Sequence, residues 1–365
     1  MLPSPLLLPG RTVSGPGVLL QLAAETAGFG PRGVIVHGRV FDGERRTAVL
    51  DAFPATASIA AFRHRGGEPT LDEVEALRAW LREQQPDWVA AIGGGSVLDL
   101  AKAAAGLLHA PETVAAYQQG RPIPSATVPF IAIPTTAGTG SEATVVAVLT
   151  DAARGLKQSI RHPSFMPRLV LLDPTLLLTC PKPALAAAGM DALTQAYESW
   201  VSSGATPFTR DLSARAFTAI LQSLPALYAG EAGAAPAMLE GSFLAGLALS
   251  HARLGVVHGL AHPLGARLKV PHGLACACCL PAVLRFNAGA TAHLLPEIDR
   301  AAGGDFARWV DDALAAFHLA SPFKGATVPD RAGLIAETLQ SGSTKANPRP
   351  VTADDVGNLL DAIVK

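Results

Sequence analysis

Over the first 180 residues, short apolar runs alternate with amphipathic stretches; beyond them the runs vanish. Gly33-Val-Ile-Val-His37, Trp88-Val-Ala-Ala-Ile92, Phe130-Ile-Ala-Ile133 and Leu169-Val-Leu-Leu172 are too short for helices and read as buried strands. Weaker strand patterns lie at residues 11–17, 55–62 and 145–149, and residues 18–27 carry a helical period. Residues 70–85 predict an amphipathic helix. Thr70 and Glu73 have the spacing of a capping box, and Leu71, Val74, Leu77 and Leu81 form one apolar stripe. This alternation predicts a doubly wound parallel sheet in an α/β domain.

From about Pro183 the pattern becomes helical and Ala/Leu-rich, over residues 184–201, 206–224, 237–251, 306–317, 330–340 and 353–363. The predicted organisation is therefore a nucleotide-binding α/β domain over residues 1–180 and an all-α domain over residues 181–365. The link is Cys180-Pro-Lys-Pro183, and the active site is expected in the cleft between the domains.

Composition narrows the partners. A net charge of −1 over 365 residues leaves no basic footprint for nucleic acid or for a membrane surface. Glycines, prolines and charges interrupt every apolar run before it reaches bilayer length, and the first nine residues lack the basic start of a signal peptide. Three of the four cysteines crowd into Cys276-Ala-Cys278-Cys279, which is not a zinc spacing. They read as reduced core residues of a cytoplasmic protein.

The chemistry concentrates in four places. Strand 88–92 runs straight into Gly93-Gly-Gly-Ser96 and a helix carrying Asp99 and Lys102; glycines there let a phosphate approach the helix amides. A second loop, Pro134-Thr-Thr136-Ala-Gly-Thr139-Gly-Ser-Glu142, follows strand 130–133 and suits a diphosphate or ribose. His258 and His262 share a helical face that Pro263 and Gly265 are expected to break, and His272 returns on a loop between Pro271 and Gly273. Asp191 sits among small and apolar residues, where a carboxylate needs a partner or a cation, with Gln195 one turn on. Asp191, His258 and His272 make a three-ligand set of the two-His, one-carboxylate kind.

Together these motifs resemble the iron-containing (group III) alcohol dehydrogenase family, which includes lactaldehyde, butanol and glycerol dehydrogenases and maleylacetate reductase. The resemblance runs from Ser14-Gly-Pro-Gly17 to Asn347-Pro-Arg349. It implies NAD(P) against Gly94, Gly95, Ser96 and Asp99 of the first motif and Thr135, Thr136 and Thr139 of the second, with Lys157 on the cofactor side. It implies Fe²⁺ or Zn²⁺ on Asp191, Gln195, His258 and His272, and places His262 near the reacting centre without making it a ligand. Gln195 departs from the family, which usually has histidine there; an amide is a weaker donor, so the metal is expected to be weakly held or absent. His251 is a second departure, with a pocket-lining or a structural role open to it. Gly38 stands where NAD-preferring relatives often carry Asp, and Arg39 follows it; NADP is therefore favoured over NAD, unless Asp42 interferes.

The activity expected is reversible hydride transfer between NAD(P) and a small alcohol, aldehyde or ketone, by a homo-oligomer such as a dimer, with His262 relaying the proton. The alternatives are a metal-independent reductase of the maleylacetate type, a lyase or cyclase resembling dehydroquinate synthase, and a non-catalytic nucleotide-binding protein.

Overall fold

The computed structural model describes residues 2–125 and 128–365; the first residue of the N-terminal stretch read above falls outside it. By internal contacts the chain forms two compact units. One comprises Leu7–Thr136 with Ser141–Cys180; the other comprises Pro181–Lys365 with Ala137–Gly140 and the first few residues.

The first unit is built on a parallel sheet. Its strands are β1 (Thr12–Ser14), β2 (Arg32–His37), β3 (Ser58–Arg63), β4 (Trp88–Gly93) and β5 (Phe130–Pro134). A hairpin of β6 (Val146–Asp151) and β7 (Leu156–Arg161) stands apart, and β8 (Leu169–Leu172) completes the sheet in the order β1-β8-β5-β4-β2-β3. Each sheet pairing is parallel. Strands β4, β5 and β8 are buried along their whole length. Burial on both faces is why their sequence shows continuous apolar runs rather than alternation. Strand β7 escaped the sequence reading because Lys157-Gln-Ser159 looks like a polar loop; it pairs antiparallel with β6 from Val146↔Arg161 to Asp151↔Leu156.

The helix Leu71–Gln84 begins with the expected capping box, and Leu71, Val74, Leu77 and Leu81 are all buried. Its Arg78 is buried too, donating from Nε to Leu107 O and from Nη2 to Ala110 O. These carbonyls follow the helix Gly95–Gly106, so Arg78 ties the turn after that helix to its own.

The second unit is helical. Its principal helices are Lys182–Val201, Pro207–Ala229, Ala235–Ala252, Val256–Leu268 and His272–Thr291. Two sequence expectations are corrected here. Val256–Leu268 runs through Pro263 and Gly265, which were expected to end it. An interior proline costs about 3 kcal/mol, but Val256, Val257, Leu260, Ala261 and Leu264 bury a stripe whose packing outweighs that cost. His272 is not on a loop either: it opens a helix, with Pro271 as the flanking residue.

Helices that continue through these interruptions also reach greater length than the runs suggested. The segments Ala232–Ala252 and His272–Thr291 are long and apolar enough, by length and composition, to cross a membrane. Both pack against Lys182–Val201 inside the helical unit.

Candidate active site

In the first unit, β4 delivers the chain to the helix Gly95–Gly106 through a turn that only small residues permit. A Cβ on Gly93 would lie 2.5 Å from Val97 Cβ, and one on Gly94 would come within 3.1 Å of Thr136 Oγ1. Gly94 flanks the helix and no side chain caps it. Val97 N already donates to Gly94 O, so the Gly95 and Ser96 amides are those offered to an anion. A groove of about 490 Å³ opens beside this turn, lined by Gly38, Gly94, Gly95, Ser96 and Thr136 together with Arg39, His64 and Arg65. His64 and Arg65 were not singled out by the sequence reading; they arrive on the turn after β3, which pairs in register with β2.

Other residues expected on the cofactor are not among those lining this groove. Asp99 is turned inward: its Oδ1 accepts from Ser141 Oγ at 2.6 Å and its Oδ2 from Val148 N at 2.9 Å. Thr135 is buried, its amide donating to Gly93 O at 3.0 Å. Lys157 pairs with Glu68 at 2.8 Å. Thr139 groups with the helical unit. Beneath the groove's helix, Lys102 is fully buried, its Nζ 2.6 Å from Ser141 O, 2.8 Å from Ser141 Oγ and 2.8 Å from Val146 O. Burial lowers its pKa to about 8, against the pull of Asp99 and Glu142. Burial likewise pushes Glu142 up to about 7.

The histidines gather in the helical unit. The ring centroids of His258, His262 and His272 lie 4.8 to 6.2 Å apart. Two neighbouring helices bring the other groups. Gly273 sets the distance of one: a Cβ there would lie 2.5 Å from Ala187 O, so the His272–Thr291 helix can press against Lys182–Val201 only with glycine at this point. Asp191 is buried on the latter helix, its Oδ1 3.2 Å from His258 Nε2 and 3.8 Å from His272 Nε2.

Glu198, unweighed in the sequence, completes the arrangement. It lies seven residues after Asp191, two turns along the same face. Its Oε2 lies 2.6 Å from His258 Nδ1, and its Oε1 accepts the Val257 amide at 2.7 Å. Gly255 makes room: a Cβ there would come within 2.7 Å of Glu198 Oε1. Asn347 accepts the neighbouring Val256 amide and is braced by Asn287, giving the Asn347-Pro-Arg349 motif a structural use. His251 bonds back to Leu247 O on its own helix.

This donor set fits a divalent cation. With Nδ1–H donating to Glu198, His258 turns the lone pair of Nε2 toward the Asp191 carboxylate. Two lone pairs at 3.2 Å require either a proton or a cation between them. Burial opposes a charge on His258, but Cys276, Asp191 and Glu198 outweigh burial and raise its pKa well above the ordinary histidine value. Gln195, between Asp191 and Glu198 on the helix, is buried with its Oε1 unpartnered among the described residues. Cys276 is the surprise. It was read as core, yet its Sγ lies 3.8 Å from His272 Nε2 and shares the space of Asp191, His258 and His272.

Residues 9–174 match the iron-containing alcohol dehydrogenase family, and residues 185–364 match the family's C-terminal domain. The chain belongs to the iron-containing alcohol dehydrogenase family. It is 44% identical over 237 residues to the probable alcohol dehydrogenase EutG of Escherichia coli K12; that stretch is 64% of this chain and 60% of EutG. It is 37% identical to lactaldehyde reductase of the same organism, over 64% of this chain and 62% of the relative. The match thus spans only about 60% of the length of such curated relatives. Among solved structures, sulfoacetaldehyde reductase from Bifidobacterium kashiwanohense, in complex with NAD⁺, superposes with a TM-score of 0.91 at 29% identity, covering 100% of this chain and 99% of that one. The family fold, a six-stranded parallel sheet followed by a helical half, agrees with the fold read from the sequence.

Proposed function

We propose that this chain is an NAD(P)-dependent oxidoreductase that moves hydride between nicotinamide and a small alcohol or aldehyde, assisted by a divalent metal on Asp191, His258 and His272. The observation that carries this reading is the buried line Glu198–His258–Asp191, an imidazole whose outer nitrogen is fixed by one carboxylate and whose inner nitrogen faces another. Such a carboxylate–histidine pair is how proteins orient a metal ligand. Relatives named as alcohol dehydrogenases and reductases support the same reaction class.

When bound, nicotinamide supplies or accepts the hydride and the metal supplies Lewis-acid charge. The chain's residues do the rest. Glu198 holds the Nδ1 proton of His258 and fixes its tautomer. Asp191 contributes the negative charge of the donor set. His262 is half-buried, its ring centroid 4.8 Å from that of His272, and moves a proton to or from the substrate oxygen. The uncapped turn at Gly94–Ser96 holds phosphate.

Arg39 and Arg65 favour NADP over NAD, since both line the groove beside Gly38 and both are exposed. Asp42, which could repel a 2′-phosphate, is engaged by Arg63 at 2.8 Å and does not line the groove. The test is consumption of NADPH and NADH with a panel of short aldehydes, before and after chelation. Aldehyde-dependent oxidation that falls on chelation supports the proposal. Turnover of a bound nucleotide without net oxidation would point to a lyase instead.

A further inference from the structure

The Cys276 thiol stands among the donor atoms of a site that the sequence assigned to other residues. Asp191, His258, His272 and Cys276 each offer one atom, and these four atoms lie within 4.8 Å of one another. Three edges of the set measure 3.2 Å, 3.8 Å and 3.8 Å. Nitrogen and oxygen ligands at about 2.0–2.1 Å and sulfur at about 2.3 Å from zinc would give tetrahedral edges of about 3.3–3.6 Å. These three edges lie within a few tenths of an ångström of that geometry, and the widest separation in the set, at most 4.8 Å, closes with a small side-chain shift.

The placement follows from the helix that the sequence reading missed. His272 and Cys276 are four apart at the start of His272–Thr291, so they share one face. That face is pressed against Asp191 by the close approach at Gly273. The neighbouring cysteines do not share this position: neither Cys278 nor Cys279 belongs to the donor cluster. Gln195, one turn from Asp191 on the same helix, carries a buried Oε1 with no partner among the described residues.

We propose that Cys276 is a protein ligand of the metal, bound as thiolate beside Asp191, His258 and His272, so that the site selects a borderline-soft divalent ion, Zn²⁺, over harder ions. This rests on the three-residue metal site proposed above. On binding, the S–H bond breaks, the sulfur lone pair forms the bond to the ion and the proton leaves to solvent. Zinc accepts a fifth ligand in catalytic sites, so four protein ligands still leave a place for substrate.

The experiment loads the full-length protein with Zn²⁺ for X-ray absorption and with Co²⁺ for near-ultraviolet spectroscopy. The expected result is one sulfur scatterer at about 2.3 Å and a thiolate-to-cobalt charge-transfer band. Both vanish in Cys276→Ser and persist in Cys278→Ser. Cys276→Ser should also weaken zinc binding by more than about 100-fold, since losing a ligand costs more than the roughly 10–100-fold lost with a partner that only orients one. Gln195→His in the Cys276→Ser background should restore affinity without restoring the sulfur signal, which separates loss of a ligand from damage to the fold. A wild-type protein holding metal in a shell of nitrogen and oxygen alone would overturn the thiolate while leaving the three-residue site intact, as would a sulfur signal surviving Cys276→Ser. Failure to bind either ion would overturn both, and NADPH oxidation by the same sample would show whether the hydride chemistry stands without metal.

Discussion

Glu198 Oε2 lies 2.6 Å from His258 Nδ1, and the same carboxylate's other oxygen holds the Val257 amide. One side chain thus positions both the start of a helix and the first histidine on it. Glu198→Gln keeps the shape but can no longer stabilise a charged or metal-bound imidazole. Metal affinity should fall by about 10–100-fold, measured by competition with a chromophoric chelator, with little change in the far-ultraviolet circular dichroism.

Lys102 is tied to three carbonyls: Ser141 O, Thr144 O and Val146 O all accept from its Nζ. These bonds pin the loop after β5 and the start of β6 to the helix that borders the groove. Lys102→Met should strand the buried Asp99 carboxylate and these acceptors, costing about 3–5 kcal/mol. Urea denaturation checks this, since the midpoint should drop without loss of the sheet's signal at zero denaturant.

Glu142 gives the fold a pH signature. Burial raises its pKa from 4.5 to about 7. Between those pH values the folded chain keeps a proton that the unfolded chain has released, so this group's contribution to stability falls as pH rises through the interval. Glu142→Gln removes that slope. Relative to wild type, the variant should gain up to about 3 kcal/mol between pH 5 and pH 8, read from denaturation curves at the two pH values.

Arg39 and Arg65 line the groove at Gly38. Replacing either with Ala removes a charge-assisted bond to a 2′-phosphate and should raise the KM for NADPH by about 10-fold. The KM for NADH should hardly move. Equal loss for both cofactors would place these arginines on the shared diphosphate instead.

Much of this was legible in the sequence, for physical reasons. Strands buried on both faces leave continuous apolar runs, so β2, β4, β5 and β8 announced themselves; β7, with Lys157-Gln-Ser159, did not. His258 and His262 share a helical turn, and that spacing is visible in any sequence. Cys276 was hidden because its relation to His272 exists only on a helix, and Pro271 with Gly273 suggested a loop. Pro271 instead flanks the helix start, where a missing N–H costs nothing, and Gly273 serves a close contact. Asp99 carries a related ambiguity. A polar residue after a glycine-rich turn invites a ligand, but this one faces Ser141 and Val148 inside the fold.

Transfer of label from the cofactor is the most direct test of the proposed chemistry. Reduced nicotinamide deuterated at its reactive ring carbon would be incubated with a short aldehyde and the full-length protein, and the alcohol weighed by mass spectrometry. The expected result is one deuterium on the carbinol carbon, with product formation collapsing in Asp191→Ala and His258→Ala. Alcohol carrying hydrogen from solvent at that carbon, or product formed undiminished by both variants, would contradict it.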